Sequence, residues 1–117
     1  MTTTGWQERL AQVTALAGVR GAVVITADDG LAVFEAAVEG LEPADVAALS
    51  SAVVRRAEEL SRLLGNARPG LCTLAAERGT LLAAPGRDGM WLVALADPGA
   101  ELGRLRLLLG DLAPEFA

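Results

Sequence analysis

Hydrophobic residues along this chain recur with two different periods, and the change between them divides the chain into helices and strands. Apolar residues three or four positions apart predict helices at residues 4–17, 43–64 and 100–112. Shorter apolar runs bounded by turn residues predict strands at 22–27, 31–37, 71–77, 80–85 and 90–96. The predicted order is α-β-β-α-β-β-β-α, and the length favours a single domain over residues 1–117.

Two of the predicted strands are apolar on both faces, which indicates central positions in a sheet. They are GAVVIT, which starts at Gly21, and MWLVALA, which starts at Met90. Asp29-Gly30 suits a tight hairpin turn, because both residues tolerate positive φ. We therefore expect an α/β (α+β) fold with one five-stranded antiparallel sheet. The first and last helices would cover one face, the middle helix would cover the other, and the third strand would be a free edge.

The middle helix carries more small and apolar residues than one buried face requires. Its most regular apolar stripe predicts the side that packs on the sheet, and it consists of Val46, Leu49, Val53, Ala57, Leu60 and Leu64. The rest of its first half is mainly Ala and Ser. Those residues are tolerated on an ordinary helix surface, but they would also allow a second backbone to approach closely. One helix is too narrow to cover five strands, which favours a second copy of the chain beside it.

Composition and charge exclude several classes of partner. The net charge is −5 and the sequence pI is about 4.6, so binding to nucleic acid or to an anionic membrane surface is not expected. No apolar run approaches the roughly 20 residues that cross a bilayer. The first residues have no basic and apolar segments of a signal peptide. Together with the single cysteine, this predicts a cytoplasmic protein.

The residue types also argue against catalysis, metals and cofactors. The chain has no His, and all ten of its basic residues are Arg, so an imidazole base and lysine chemistry are both excluded. Asp28-Asp29 is better explained as a turn than as a calcium loop, which needs further ligands. Cys72 has no His to activate it as a nucleophile. The glycine-containing loops follow no phosphate-binding pattern. We expect a protein that is not an enzyme and has no cofactor.

Three stretches of the sequence, in this order, resemble the Roadblock / dynein light chain family, and its bacterial MglB-like members in particular. They are VRGAVVITADDGLAV, AALSSAVVRRAEELSRLLG and GTLLAAPGRDGMWLVALADPGAELGRLRLLL. Each motif is common by itself, but the combination covers nearly the whole chain. Bacterial members often carry extra terminal segments, and this sequence has almost none.

The resemblance implies a homodimer in which the middle helices pack side by side and the third strands pair edge to edge. Carried onto this sequence, the helix contact would consist of Ala47, Ser50, Ser51, Val54 and Ser61. The strand contact would consist of Leu71, Cys72, Thr73, Leu74 and Ala75. On this interpretation, the small residues of the middle helix face the same helix of the second copy.

The resemblance further implies a regulator that binds a small Ras-like GTPase of the MglA type, either as an activator of GTP hydrolysis or as a scaffold. The exposed partner-binding residues would be Arg55, Arg56, Glu59 and Arg62. An ordinary solvated face with Arg55–Glu58 and Glu58–Arg62 pairs is the alternative for these residues. A dimeric adaptor without effect on hydrolysis and a small-molecule sensor domain remain the alternative functions.

Overall fold

The computed structural model describes residues 3–28, 32–36, 40–65 and 68–116, and its elements follow the predicted order. The helices are α1 (Thr3–Thr14), α2 (Pro43–Leu63) and α3 (Leu102–Leu112), and α3 continues into a single 3-10 turn at Ala113–Glu115. The strands are β1 (Val19–Thr26), β2 (Ala32–Ala36), β3 (Cys72–Ala76), β4 (Gly79–Pro85) and β5 (Met90–Ala96).

The five strands form one antiparallel sheet in the order β2-β1-β5-β4-β3. β5 is central and β1 lies beside it, which confirms the positions predicted from their two apolar faces. β3 lies at an edge, as its mixed polarity predicted, and β2 lies at the opposite edge. The chain therefore crosses from one edge to the other between β2 and β3, and α2 makes that crossing over one face of the sheet.

Alternate residues of the central strands supply two separate core layers, because successive side chains point to opposite faces of a sheet. Val24 and Leu92 belong to the layer beneath α1 and α3, which includes Leu10 and Leu105. On the other face, the layer beneath α2 consists of Val23, Ile25, Ala27, Val46, Ala47, Val54, Leu81, Ala83, Trp91 and Val93. The predicted distribution of helices over the two faces is confirmed.

The ends of α2 follow from local sequence signals. Pro43 occupies its first turn, where the missing N–H would have had no intrahelical partner. Asp45 in the first turn and Arg62 in the last turn both complement the helix dipole. Gly65 then takes a φ of 107°, a left-handed conformation that favours glycine and ends the helix. The predicted end at Leu64 is one residue beyond the observed one.

Other boundaries differ by a few residues from the predicted ones. β1 begins at Val19 instead of residue 22, because its pairing with β5 continues back to Ala96 through an irregular step in the register. α3 begins at Leu102 instead of residue 100. The predicted Asp29-Gly30 turn lies outside the described residues. Within the described ranges, no helix has the length and apolar character needed to cross a membrane.

Candidate interaction surfaces

Four of the five residues predicted for the α2 contact with a second copy are instead buried against the sheet of their own chain. Ala47 is 1% exposed, Ser51 is 2% exposed, and Ser50 and Val54 are fully buried. Side chains that are closed off by their own sheet cannot reach another chain while the helix stays packed. These four residues therefore do not line an exposed face, and only Ser61 of the predicted helix contact is half-buried.

The two buried serines are accommodated by hydrogen bonds within the chain. Ser51 Oγ donates to the carbonyl oxygen of Ala27, at the end of β1, over 3.0 Å. Ser50 Oγ donates to the carbonyl oxygen of Val46, one helical turn earlier, over 2.6 Å. Buried hydroxyls are tolerated when they are hydrogen-bonded. Ser51 therefore attaches the middle of α2 to the sheet.

An apolar flank of α2 is left partly open to solvent. We define the leucine flank as Leu49, Val53, Leu60 and Leu64, which fall within about 60° of one another at 100° per residue. Leu49 is 51% exposed, Leu60 54% and Leu64 71%. The prediction that these three leucines pack on the sheet is wrong. Small side chains allow close approach, so the helix rests on its Ala and Ser face and the larger side chains lie beside the contact.

A groove continues the leucine flank across the sheet. It has a volume of about 180 Å³ and lies beside Leu49, with Leu74 of β3 and Leu81 of β4 among its lining residues. Leu74 pairs with Leu81, whose side chain belongs to the α2 layer, and Leu74 itself is 45% exposed. The α2 layer therefore leaves apolar surface uncovered toward the β3 edge, as the width of one helix predicts.

The edge strand β3 carries the residues predicted for a strand contact. Thr73, Leu74 and Ala75 are exposed, while Leu71 and Cys72 are half-buried. β3 pairs only with β4 among the described strands, so one side of its backbone remains open to another strand. Burial raises the pKa of the Cys72 thiol above its usual value of 9.0, because a low-dielectric environment disfavours the thiolate.

The outer face of α2 presents the predicted partner-binding residues. Arg55, Arg56, Glu59 and Arg62 are all exposed. Arg56 forms an ion pair with Glu59 over 2.8 Å. Neither of the predicted pairs with Glu58 forms, and no ion pair involves Arg55 or Arg62 in the part of the chain that the structure describes. Two guanidinium groups on this face are therefore free to bind acidic groups of another molecule.

Side chains that could hold a metal ion do not come together among residues 3–28, 32–36, 40–65 and 68–116, in which no group of three or more His, Cys, Asp or Glu is found. Asp28 is exposed, and Asp29 lies outside these ranges. The candidate interaction surfaces are therefore the leucine flank and charged face of α2 and the open edge of β3. The sequence predicted the edge position of β3 and the exposed charges of α2. It assigned the leucine flank to the core, because large apolar residues are usually buried.

The fold and these surfaces define a small α+β domain that offers other molecules a helix flank and a strand edge. A family model for the Roadblock/LC7 domain matches residues 7–96. The chain therefore belongs to the Roadblock/LC7 domain family, which confirms the resemblance found in the sequence. No curated protein matches the chain.

Solved structures support the same fold over nearly the whole chain. Myxococcus xanthus MglB superposes with a TM-score of 0.85 at 17% identity, over 98% of this chain and 94% of that one. The Roadblock/LC7 domain from Streptomyces avermitilis superposes with a TM-score of 0.82 at 16% identity, over 92% and 91%. The gliding protein MglB from Thermus thermophilus superposes with a TM-score of 0.73 at 23% identity, over 93% and 88%. At these identities the likeness concerns the fold.

Proposed function

We propose that this chain is a non-enzymatic, homodimeric regulator that binds a small Ras-like GTPase of the MglA type and activates GTP hydrolysis. It would act in the cytoplasm as one domain over residues 1–117, without a cofactor. The observation that carries the proposal is its Roadblock/LC7 membership together with the close structural likeness to Myxococcus xanthus MglB.

Uncovered apolar surface supports the dimer. Leu49 of the leucine flank and Leu74 of β3 line the same groove, and β3 is an edge strand. A second copy that placed its α2 beside the first and its β3 edge against the first would cover all three. The helix contact in this proposal moves from the buried Ala and Ser residues to the leucine flank. Leu71, Cys72, Thr73, Leu74 and Ala75 stay as the proposed strand contact.

Exposed charge supports the proposed GTPase surface. Arg55 and Arg62 are seven residues apart on α2, so they lie on one face of the helix. Arginine forms bidentate hydrogen bonds with carboxylates and is enriched at protein interfaces. Arg56 and Glu59 already neutralise one another, so we expect them to contribute less to binding than Arg55 and Arg62. Activation would then come from stabilising a hydrolysis-competent shape of the GTPase.

The test is single-turnover GTP hydrolysis by the small Ras-like GTPase encoded nearest to this gene, with and without the protein. We expect hydrolysis to be about tenfold faster or more, equivalent to about 1.4 kcal/mol of activation free energy. Light scattering on the same mixture should show two copies of this chain for each GTPase. Arg55→Ala and Arg62→Ala should weaken the complex. Arg104→Ala, which removes an exposed arginine from α3, is the matched control.

The outcomes separate the candidate functions. A complex with unchanged hydrolysis would support the scaffold function and contradict activation. No complex in either nucleotide state would contradict both. The small-molecule sensor would require a ligand that remains bound through purification.

A further inference from the structure

Arg106 of α3 reaches beyond its own helix to the open edge of the sheet. Its guanidinium donates a hydrogen bond to Thr73 Oγ1 of β3 over 3.5 Å. Arg106 is exposed and forms no ion pair with any other residue that the structure describes. A cation without a counter-charge therefore lies at the β3 edge, on the face of the sheet that α1 and α3 cover.

A carboxylate follows the same row of side chains along β3. Thr73 pairs with Leu82, whose side chain belongs to the layer beneath α1 and α3, so Thr73 and Ala75 share that face. Glu77 comes two residues after Ala75, directly beyond the end of β3, and continues the row into the turn. It is exposed and has no ion pair within the described ranges. The edge therefore carries a positive charge near its start and a negative charge at its end.

The proposed pairing of two β3 edges would bring these opposite charges together. β3 has five residues, so an antiparallel pairing that uses all of them is centred on Leu74. In this register Leu74 lies opposite the partner subunit's Leu74, and Thr73 lies opposite the partner subunit's Ala75. The partner subunit's Glu77 is then the diagonal neighbour of Thr73, at a separation that long side chains span. Arg106, which already contacts Thr73, is such a side chain.

The register centred on Thr73 is disfavoured by the same charges. Thr73 would then face the partner subunit's Thr73, and the two Arg106 side chains would approach one another across the two-fold axis. Like charges directly opposite one another destabilise a sheet. The charges therefore favour the register centred on Leu74, which also gives this exposed leucine an apolar partner.

We propose that Arg106 forms an ion pair with the partner subunit's Glu77 and thereby fixes the register of the β3 pairing. The two-fold symmetry of a homodimer repeats each contact, so the ion pair forms twice. The inference rests on the proposed homodimer, and it adds a contact on the face of the sheet opposite the leucine flank. Complementary charges at the rim of an interface act mainly on register and on the choice of partner.

The test is charge reversal, followed by analytical ultracentrifugation at low salt concentration, where exposed charges are least screened. We expect Arg106→Glu and Glu77→Arg each to raise the dissociation constant of the dimer about tenfold, because both symmetry-related contacts become repulsive. The double variant Arg106→Glu/Glu77→Arg should associate like the wild type. Arg104→Glu is the matched control, because Arg104 is an exposed α3 residue whose ion pair is with Glu101 of its own chain. It should also associate like the wild type.

Mixing the two single variants shows whether the ion pair joins two chains. Each variant by itself places like charges at both contacts, whereas a dimer with one copy of each has both ion pairs restored. We expect native mass spectrometry of an equal mixture to show more heterodimer than the two homodimers together. An ion pair within one chain would restore association in the double variant but not in the mixture.

The outcomes separate this ion pair from the dimer on which it rests. A wild-type dimer whose affinity neither single variant changes would overturn the ion pair and leave the proposed homodimer in place. The same conclusion would follow from a double variant that associates as weakly as the single ones, or from a mixture without excess heterodimer. A wild-type chain that sediments as a monomer would contradict the homodimer itself, and the ion pair with it.

Discussion

Two adjacent serines in α2 differ in what their hydroxyl groups hold together. Ser51 connects the helix to the carbonyl of Ala27, 24 residues away, whereas Ser50 bonds within its own helix to Val46. The Ala27 carbonyl would lose this partner in a buried position if Ser51 were replaced. The Val46 carbonyl would keep its place in the helix if Ser50 were replaced.

We therefore expect Ser51→Ala to lower the free energy of unfolding by about 1–3 kcal/mol, because a buried acceptor is left without this donor. Ser50→Ala is the matched control. Its loss should be smaller by about 1 kcal/mol, since the Val46 carbonyl keeps its place in the helix when the Ser50 hydroxyl is removed. Urea unfolding followed by circular dichroism measures both. Equal losses would show that the hydrogen bond to Ala27 contributes no more to stability than the hydrogen bond within the helix.

Cys72 gives a residue-scale prediction on pH. Burial raises the pKa of its thiol in the folded chain, so the native state holds the proton to higher pH than the unfolded state does. The contribution of the Cys72 thiol to the free energy of unfolding is fully present below the pKa of this thiol in the unfolded chain. That contribution decreases as the pH rises through the higher pKa of the folded chain. Alkylation of the native protein by iodoacetamide should accelerate at a higher pH than alkylation in urea. Coincident pH profiles would contradict this.

At the scale of the element, α2 has a buried side and an open flank that a single substitution can distinguish. Val54 is fully buried and Leu49 is half exposed. Val54→Glu should destabilise the fold by about 4 kcal/mol or more, because it buries an unpaired carboxylate. Leu49→Glu should leave the fold intact and weaken self-association about tenfold or more, because it places a charge in the proposed apolar contact.

Leu107→Glu provides the control for this comparison. Leu107 is 73% exposed on α3, on the other face of the sheet, so its replacement should change neither stability nor association. Thermal unfolding and analytical ultracentrifugation separate the two effects. A dimer of wild-type affinity in Leu49→Glu would show that the leucine flank is not the contact.

At the scale of the whole molecule, a dimer makes stability depend on protein concentration. A tenfold increase in concentration adds about 1.4 kcal/mol to the association equilibrium, so the wild-type Tm should rise by about 2–5 °C. Leu49→Glu should show a smaller rise. Differential scanning calorimetry at two concentrations provides the measurement. A wild-type Tm that does not change with concentration would contradict the dimer.

The sequence by itself determined the elements, their order and the central positions of β1 and β5. Those features depend on local signals, such as the period of apolar residues, strands that are apolar on both faces, and Pro43 and Gly65 at the ends of α2. It also indicated that one helix leaves part of the sheet uncovered, because that follows from the number of helices and strands.

Only the tertiary structure decided which side of α2 faces the sheet. Leu49 and Leu60 are the larger apolar residues, and periodicity assigned them to the core. The helix rests instead on Ala47, Ser50 and Ser51, because small side chains allow a closer approach and the Ser51 hydroxyl finds an acceptor at Ala27. Arg68, before β3, and Arg87, between β4 and β5, also line one cleft, which the sequence did not indicate because the two residues lie in separate loops. Packing depends on the shapes of side chains and on contacts with residues far along the chain. A local pattern of polar and apolar residues specifies neither of these.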